Sequence, residues 1–399
     1  MDNTDKDLYL SADEAASALG VSMQTLYAYV SRKNLRSIKI EGSRSRRYWA
    51  EDIERLSKGN KQTQIPKIDA PQGISTSSAI TLLTDKGLYY RGIEISELAE
   101  HHTVEEVAEL IWQSPGVFAR SKLPKRPAVA DGLLKSLENM TASEKAIALF
   151  PSVEIENPRA YDLSHDGYAR TGVDVVRWLA ALIAGADGPN ERPLHQFLAE
   201  KFGVNSAFED LIRRSLILSI DHELDPITYT VRVAANTGVT PYYAAITGLA
   251  ASSGRRINYG RSEAVSRILE EICSAKDPSL PILQRYREGE SIPGFDSNMH
   301  AIADPRAQNL LNAMTAVFSS DDEYIKLLKA IEIAEEITQQ PASFLLLMSF
   351  IGRKLKLRGQ EISLAGVGRA IGWLAHASEQ YHQSPLLRLR AKYTGPLPD

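Results

Sequence analysis

The sequence contains a single cysteine, Cys273, in 399 residues. No intrachain disulfide can form, and zinc fingers, CxxC redox pairs and iron–sulfur clusters are excluded. A lone thiol fits a reducing cytoplasm, the expected location. No run of 18 apolar residues exists, so no segment reads as a membrane span, and no membrane partner is expected. The chain begins with Asp2, Asp5 and Asp7 and has no basic n-region before an apolar run, unlike a signal peptide. GxGxxG, the P-loop pattern and HExxH are all missing, as is any His/Cys spacing for a metal. No metal or resident cofactor is expected. What is present is the balance of a globular protein, 43% apolar and 24% charged. A chain this long buries most of its apolar surface without staples and has room for two or three domains.

Net charge is small, at −4, but the charges are unevenly placed. Between residues 32 and 47 stand Arg32, Lys33, Arg36, Lys39, Arg44, Arg46 and Arg47, with Glu41 as the one acid. Such a cluster in an acidic protein suggests a phosphate-facing surface, although a solvated basic loop looks the same by charge alone.

The pattern around the cluster is more specific. Ser11 and Glu14 form a capping box, which predicts a helix from Ala12. Ala12, Ala15, Ala16 and Leu19 recur at helical spacing, and Gly20 stops that helix. Ser22 caps a second helix with Leu26 and Val30 on its inner face. Ser37–Ile40 and Arg47–Trp49 alternate as a hairpin around Glu41-Gly42-Ser43. A short helix, Ala50 to Leu56, closes the unit. The segments "LSADEAASALGVSMQTLYAYVSRKNL" and "SRSRRYWAEDIERL" resemble the winged helix-turn-helix of the MerR/excisionase type. The resemblance implies duplex DNA as a partner. Gln24, Thr25, Ala28, Tyr29 and Arg32 would face the major groove, and Arg44, Arg46 and Arg47 would lie on the wing. The same motif also serves as a dimerisation or protein-binding module.

Residues 57–77 are polar, broken by Gly and Pro, and read as a flexible linker. The chain beyond is mostly helical. Apolar residues fall at three- and four-residue spacing in 104–111, 142–150, 173–186, 208–220, 242–252, 262–273, 306–318, 324–337 and 363–381. "AITLLTDKGLYYRG" reads as one short hairpin around Asp85-Lys86-Gly87.

Four blocks then run in order: "DKGLYYRGIEISELAEHHTVEEVAELIW", "SIDHELDPITYTVRVAANTGVTPYYAAITGLAA", "GFDSNMHAIADPRA" and "GRAIGWLAHASEQYHQSPLLRLRAKYTGP". They resemble citrate synthase, whose patterns "DHELN…RV…ST…YAA" and "GFGHRVY…DPRA" they follow. The resemblance implies a mainly α, two-domain all-helical fold preceded by a small winged helix-turn-helix domain. The expected organisation is a DNA-binding domain over 1–58, a linker over 59–77, a large domain over 78–259 and 345–399, and a small domain over 260–344. A homodimer is implied, closing over a cleft between its domains. An acyl-CoA such as acetyl-CoA would be substrate or ligand.

That chemistry needs an aspartate base and two histidine donors, each contributing about 10²–10⁴-fold. This chain departs at all three positions. "RRINYGRSEAV" stands where the family has "GPLHGGANEAV", so the first histidine falls on Asn258. The second falls on Ser297, the arginine after it on Asn298, and the base on Ser343 in "QQPASF". None of these replacements titrates near neutral pH. Part of the carboxylate cradle is retained by resemblance: His222 in "DHEL", Arg369 in "GRAIGW", and Arg388, which would reach into the neighbouring subunit's site. His300, three positions beyond Ser297, would serve as a substitute acid if its loop shifted, and a Ser–His pair with Ser297 or Ser343 would suggest thioester hydrolysis. The remaining histidines show no partner pattern.

Two readings follow. One is a regulator: a catalytically degenerate body that binds a citrate- or oxaloacetate-like carboxylate and couples it to DNA binding, alone or beside an active paralogue. The other is an active citrate or 2-methylcitrate synthase with a relocated catalytic set. Fold alone does not choose between them.

Overall fold

The computed structural model describes residues 9–23, 26, 37–39, 46–50, 53, 77–84, 87–256, 259–295 and 304–383. These fall into two units, one within residues 1–73 and one within 74–388.

The small unit begins as its caps dictate. The Ser11 hydroxyl accepts from the Glu14 amide at 3.3 Å, and the Glu14 carboxylate accepts from the Ser11 amide at 2.8 Å. The helix Ala12–Leu19 follows and ends at Gly20, which takes φ 65°, a left-handed conformation that glycine adopts without a Cβ penalty. Strands Ser37–Lys39 and Arg46–Trp49 pair antiparallel, with Ser37 opposite Tyr48 and Lys39 opposite Arg46. A third strand, Tyr9–Leu10, pairs on the other side of Arg46–Trp49 and makes that strand central. The core holds Ala15, Ala16, Leu19, Leu26, Tyr48 and Ile53. The expected linker lies outside the described residues apart from Ser77.

The large unit opens with a three-stranded sheet rather than a bare hairpin. Thr81–Thr84 pairs with Gly87–Tyr90, Thr81 opposite Tyr90, and Gly87–Tyr90 pairs with Ile93–Glu94. Leu88 and Tyr90 are buried beneath it. The rest of the described unit is helical. At its centre lies Ser363–Gln383, which packs on His165–Ile183, Pro226–Ala235, Pro241–Ser252 and Ser206–Leu218. His165–Ile183 is buried along nearly its whole length, as a helix enclosed on all sides must be. A second group comprises Tyr259–Ser274, Leu280–Glu288, Pro305–Phe318, Asp322–Thr338 and Phe344–Lys354. Phe208 meets Phe318 edge-on at 5.2 Å, and Phe318 meets Phe350 at 5.5 Å, so an aromatic cluster joins the two groups.

Several periodic segments became helices longer than the spacing showed. The segment at 142–150 extends to Ala142–Ile155 with Pro151 inside it, and the one at 173–186 begins earlier, as His165–Ile183. Two further helices are not among the periodic segments singled out above. Phe344–Lys354 is enclosed from Leu346 to Gly352, and Pro226–Ala235 starts at a proline with Asp225 as its cap.

Two glycines set how closely the central helix approaches its neighbour. A Cβ on Gly368 would lie 2.3 Å from the Leu216 carbonyl oxygen, and one on Gly372 2.1 Å from that of Ile220. Backbone thus sits against backbone where Ser206–Leu218 ends. Gly372→Ala is expected to destabilise the protein by at least ~1–3 kcal/mol, since the helices must separate. Gly366→Ala, on the same helix with nothing within 4 Å, should be neutral or stabilising. Denaturant midpoints of the two variants check this. Equal midpoints would contradict the close-approach account.

Candidate functional site

The close approach of Gly368 and Gly372 brings their neighbours Arg369 and His376 onto the loop that follows Leu218. Asp221 in that loop is fully buried. The Tyr90 hydroxyl brackets its backbone, accepting from the Asp221 amide at 3.0 Å and donating to the Asp221 carbonyl at 3.0 Å. The carboxylate is held from three sides. Thr81 Oγ1 donates to Oδ2 at 2.5 Å, His376 Nε2 lies 3.1 Å from Oδ2, and Arg369 Nη1 donates to Oδ1 at 3.3 Å. Burial alone would push this carboxyl up. The donors of His376, Arg369 and Thr81 outweigh burial and hold it well below the usual carboxylate range. Burial pushes the Tyr90 hydroxyl far above the ordinary phenol range.

The neighbouring layer fixes the histidine. Arg232 Nη1 lies 3.1 Å from His376 Nδ1. A guanidinium offers only donors, so Nδ1 accepts, and the ring proton resides on Nε2, facing Asp221. Arg232 is itself fully buried. It donates to Glu379 at 2.6 Å, to Gln380 at 2.9 Å and to the Ser77 carbonyl at 3.2 Å. Glu379 also accepts from the Ala79 amide at 2.8 Å. Buried polar groups are thereby paired in an unbroken chain from Ser77 to Arg369, which removes the penalty that an orphaned charge would carry.

His222 follows Asp221 and is buried, with 7% of its surface exposed. The next residue, Glu223, sits at φ 58°, a left-handed conformation costing a non-glycine residue about 1–2 kcal/mol. The turn is secured beyond it by Asp225, whose Oδ1 caps the helix Pro226–Ala235 by accepting from the Ile227 and Thr228 amides, each at 2.8 Å. The other oxygen, Oδ2, is paired with Arg369 Nη2. Thr228 Oγ1 accepts from the same nitrogen at 2.8 Å. Arg306, at the start of Pro305–Phe318, completes the positive side. It pairs with Asp304 at 2.7 Å, and its guanidinium lies 4.7 Å over the Phe344 ring. The charges of Arg306 and Arg369 both act on the Tyr90 hydroxyl. Every guanidinium of this cluster already faces a carboxylate.

The structure brings His222 and Arg369 together through Asp221. Ser343, next to the Phe344 ring that underlies Arg306, has a defined local task. It caps the helix Phe344–Lys354 by accepting from the Leu346 amide at 3.3 Å, while its own amide donates to the Gly294 carbonyl at 2.8 Å. Arg46 and Arg47 stand on the central strand of the small unit. Gln24, Thr25, Arg32, Arg44, Asn258, Ser297, His300 and Arg388 lie outside the described residues. Among the described residues no group of three or more His, Cys, Asp or Glu side chains is placed to hold a metal ion. Nor is any described helix long and apolar enough to cross a membrane. The sequence reading missed Tyr90, Thr81, Asp221, Asp225, Arg232, Arg306 and His376. The "DHELD" and "DPRA" blocks contain three of them, but the contacts that matter join residues more than 140 positions apart.

The family model described as citrate synthase, C-terminal domain, matches residues 72–390, and one described as a helix-turn-helix domain matches residues 9–60. The chain belongs to the citrate synthase family and carries a helix-turn-helix domain ahead of the family's fold. Citrate synthase 2 of Bacillus subtilis is 27% identical over 354 residues, covering 81% of this chain and 94% of that protein. The 2-methylcitrate synthase of Shewanella oneidensis is 24% identical over 364 residues, covering 79% and 91%. Among solved structures, citrate synthase from Thermotoga maritima shares the fold at a TM-score of 0.64 and 24% identity, covering 81% of this chain and 94% of that one. The Thermoplasma acidophilum citrate synthase, solved as a ternary complex with carboxymethyl coenzyme A and oxaloacetate, does so at 0.67 and 21%, covering 86% and 97%.

The Asp221 carboxyl has a folded value below its unfolded one, which is near 4. Its stabilising contribution is therefore complete above about pH 4 and is lost as pH falls through the folded value. Asp221→Asn should lower stability at pH 7 by about 3–5 kcal/mol, the usual cost of breaking a buried pair. It should also flatten the loss of stability below pH 4. Unfolding free energies measured across that range check this. An unchanged acid slope would contradict it.

Proposed function

We propose that this protein is a catalytically degenerate citrate synthase relative that binds a citrate- or oxaloacetate-like carboxylate and couples that binding to DNA through its N-terminal head. The observation that carries the reading is Ser343. At the position where the family places its carboxylate base stands a hydroxyl whose oxygen is already engaged as a helix cap. Proton abstraction from a thioester methyl needs a group that binds a proton near neutral pH, which serine does not. Asn258 and Ser297 replace the two histidine donors with side chains of the same incapacity.

The rest of the site supports ligand recognition instead. Arg369 lies against the turn in which the buried His222 follows Asp221, Arg306 acts with it on the Tyr90 hydroxyl, and guanidinium matches carboxylate geometry. The matched helix-turn-helix region and its basic strand support a DNA-reading head. In a homodimer with Arg388 crossing between subunits, two heads would read two half-sites. A ligand that prefers one closure state would change their spacing.

The test is a thermal-shift panel of citrate, oxaloacetate, 2-methylcitrate and acetyl-CoA, followed by a thiol-release assay with acetyl-CoA and oxaloacetate. We expect a shift with a carboxylate and turnover below about a thousandth of a competent enzyme's, because losing even one member of a catalytic set removes orders of magnitude. Turnover of several per second would favour the active-synthase reading and bring His300 forward.

The head has its own test. Replacing Arg44, Arg46 and Arg47 by alanine should flatten the log–log salt dependence of DNA affinity by up to about 3 and weaken all sequences alike. Salt-insensitive behaviour of the unaltered protein would make the head a protein-binding module.

A further inference from the structure

The Arg369–Asp225 ion pair gives the proposed carboxylate site an occupant supplied by the chain itself. Arg369 Nη1 donates to Asp221 Oδ1, while Nη2 is shared between Asp225 Oδ2 and Thr228 Oγ1. One positive charge thus already faces two carboxylates. The two have different roles. Asp221 is fully buried and held by Thr81, His376 and the Tyr90 hydroxyl, so it is a fixed part of the core. Asp225 is reachable, with 22% of its side chain exposed against 16% for Arg369.

We propose that Asp225 is an internal carboxylate that competes with the ligand for Arg369, so that the ligand's affinity is set by how readily this pair opens. The inference rests on the carboxylate reading above. Its mechanical basis is the division of labour within the Asp225 side chain. Oδ1 alone caps the helix Pro226–Ala235, through the Ile227 and Thr228 amides. Releasing Arg369 therefore frees only Oδ2, which solvent can hydrate, and leaves the helix start and the His222 turn intact. The pair can open without local unfolding. A ligand carboxylate would take over the Nη2 donor and restore the charge balance that Asp225 supplied.

An asparagine at this position would behave differently. Its Oδ1 would cap as before, but its Nδ2 would turn donors toward the donors of Arg369. The arginine would keep Asp221 but lose its second carboxylate partner, leaving Nη2 for a ligand.

The experiment is calorimetric titration of the full-length protein with citrate. The set comprises the wild type, Asp225→Asn, Asp225→Ser, and Asp225→Asn combined with Arg369→Ala. Asparagine and serine both cap helices well, so both single variants should fold, and thermal melts confirm it; if one fails, the other decides. We expect both to bind citrate at least about tenfold more tightly than the wild type, a factor equivalent to ~1.4 kcal/mol. The gain should vanish in the double variant. If the single variants bind no more tightly while the wild type binds measurably, the competing role of Asp225 is wrong and the carboxylate reading stands. If no variant binds citrate, both fall.

Discussion

The Asp221 carboxylate joins three parts of the chain that no local rule would place together. Thr81 comes from the opening sheet, Asp221 from the turn after Ser206–Leu218, and Arg369 and His376 from the last described helix. A fully buried carboxylate is tolerated only where donors replace its water, and here the sheet supplies one donor and the helix two. Gly368 and Gly372 make the convergence possible by letting the last helix lie against the Leu216 and Ile220 carbonyls. Tyr90 then fixes both backbone groups of Asp221 with a single hydroxyl. Sheet, turn and helix are registered to one another through this point, and the candidate site is what lies around it.

This architecture separates two reasons for a polar residue to be present in the cluster. Arg232, His376, Glu379 and Asp221 are buried and mutually paired, so the fold itself requires them whatever the protein does. Arg369, Arg306 and Asp225 retain some exposure and sit at the edge of the network, where pairing can be exchanged. Function is best sought in that second set. A body can lose an acid–base set and keep such an edge, because the edge is built on a core that stability preserves. Ser343 illustrates the other side: its hydroxyl is engaged in capping the helix Phe344–Lys354.

Much of the fold was legible where local chemistry is decisive. The capping box at Ser11 and Glu14, the stop at Gly20 and the apolar periodicity of 306–318 and 324–337 each correspond to an observed element. Phe344–Lys354, enclosed by protein from Leu346 to Gly352, was not singled out. The site was legible only in part. His222 and Arg369 were singled out by resemblance, but their relation depends on Asp221, Tyr90 and Thr81, whose contacts span up to 155 positions. Nothing in the pattern of "DHELD" says that one oxygen of Asp225 caps a helix while the other holds Arg369. His376 showed no partner in sequence, yet it lies fully buried between Arg232 and Asp221.

The proposed function requires that a carboxylate bound in the body and DNA bound at the head be linked. Linkage is reciprocal, so one measurement decides it. The affinity of the full-length protein for a duplex it prefers, read by fluorescence anisotropy at fixed ionic strength with and without saturating citrate, should change by about 5–150-fold, the usual range of such coupling. The same factor should appear in citrate affinity with and without that duplex. DNA affinity identical in the presence and absence of citrate, in a protein shown to bind both, would contradict the account.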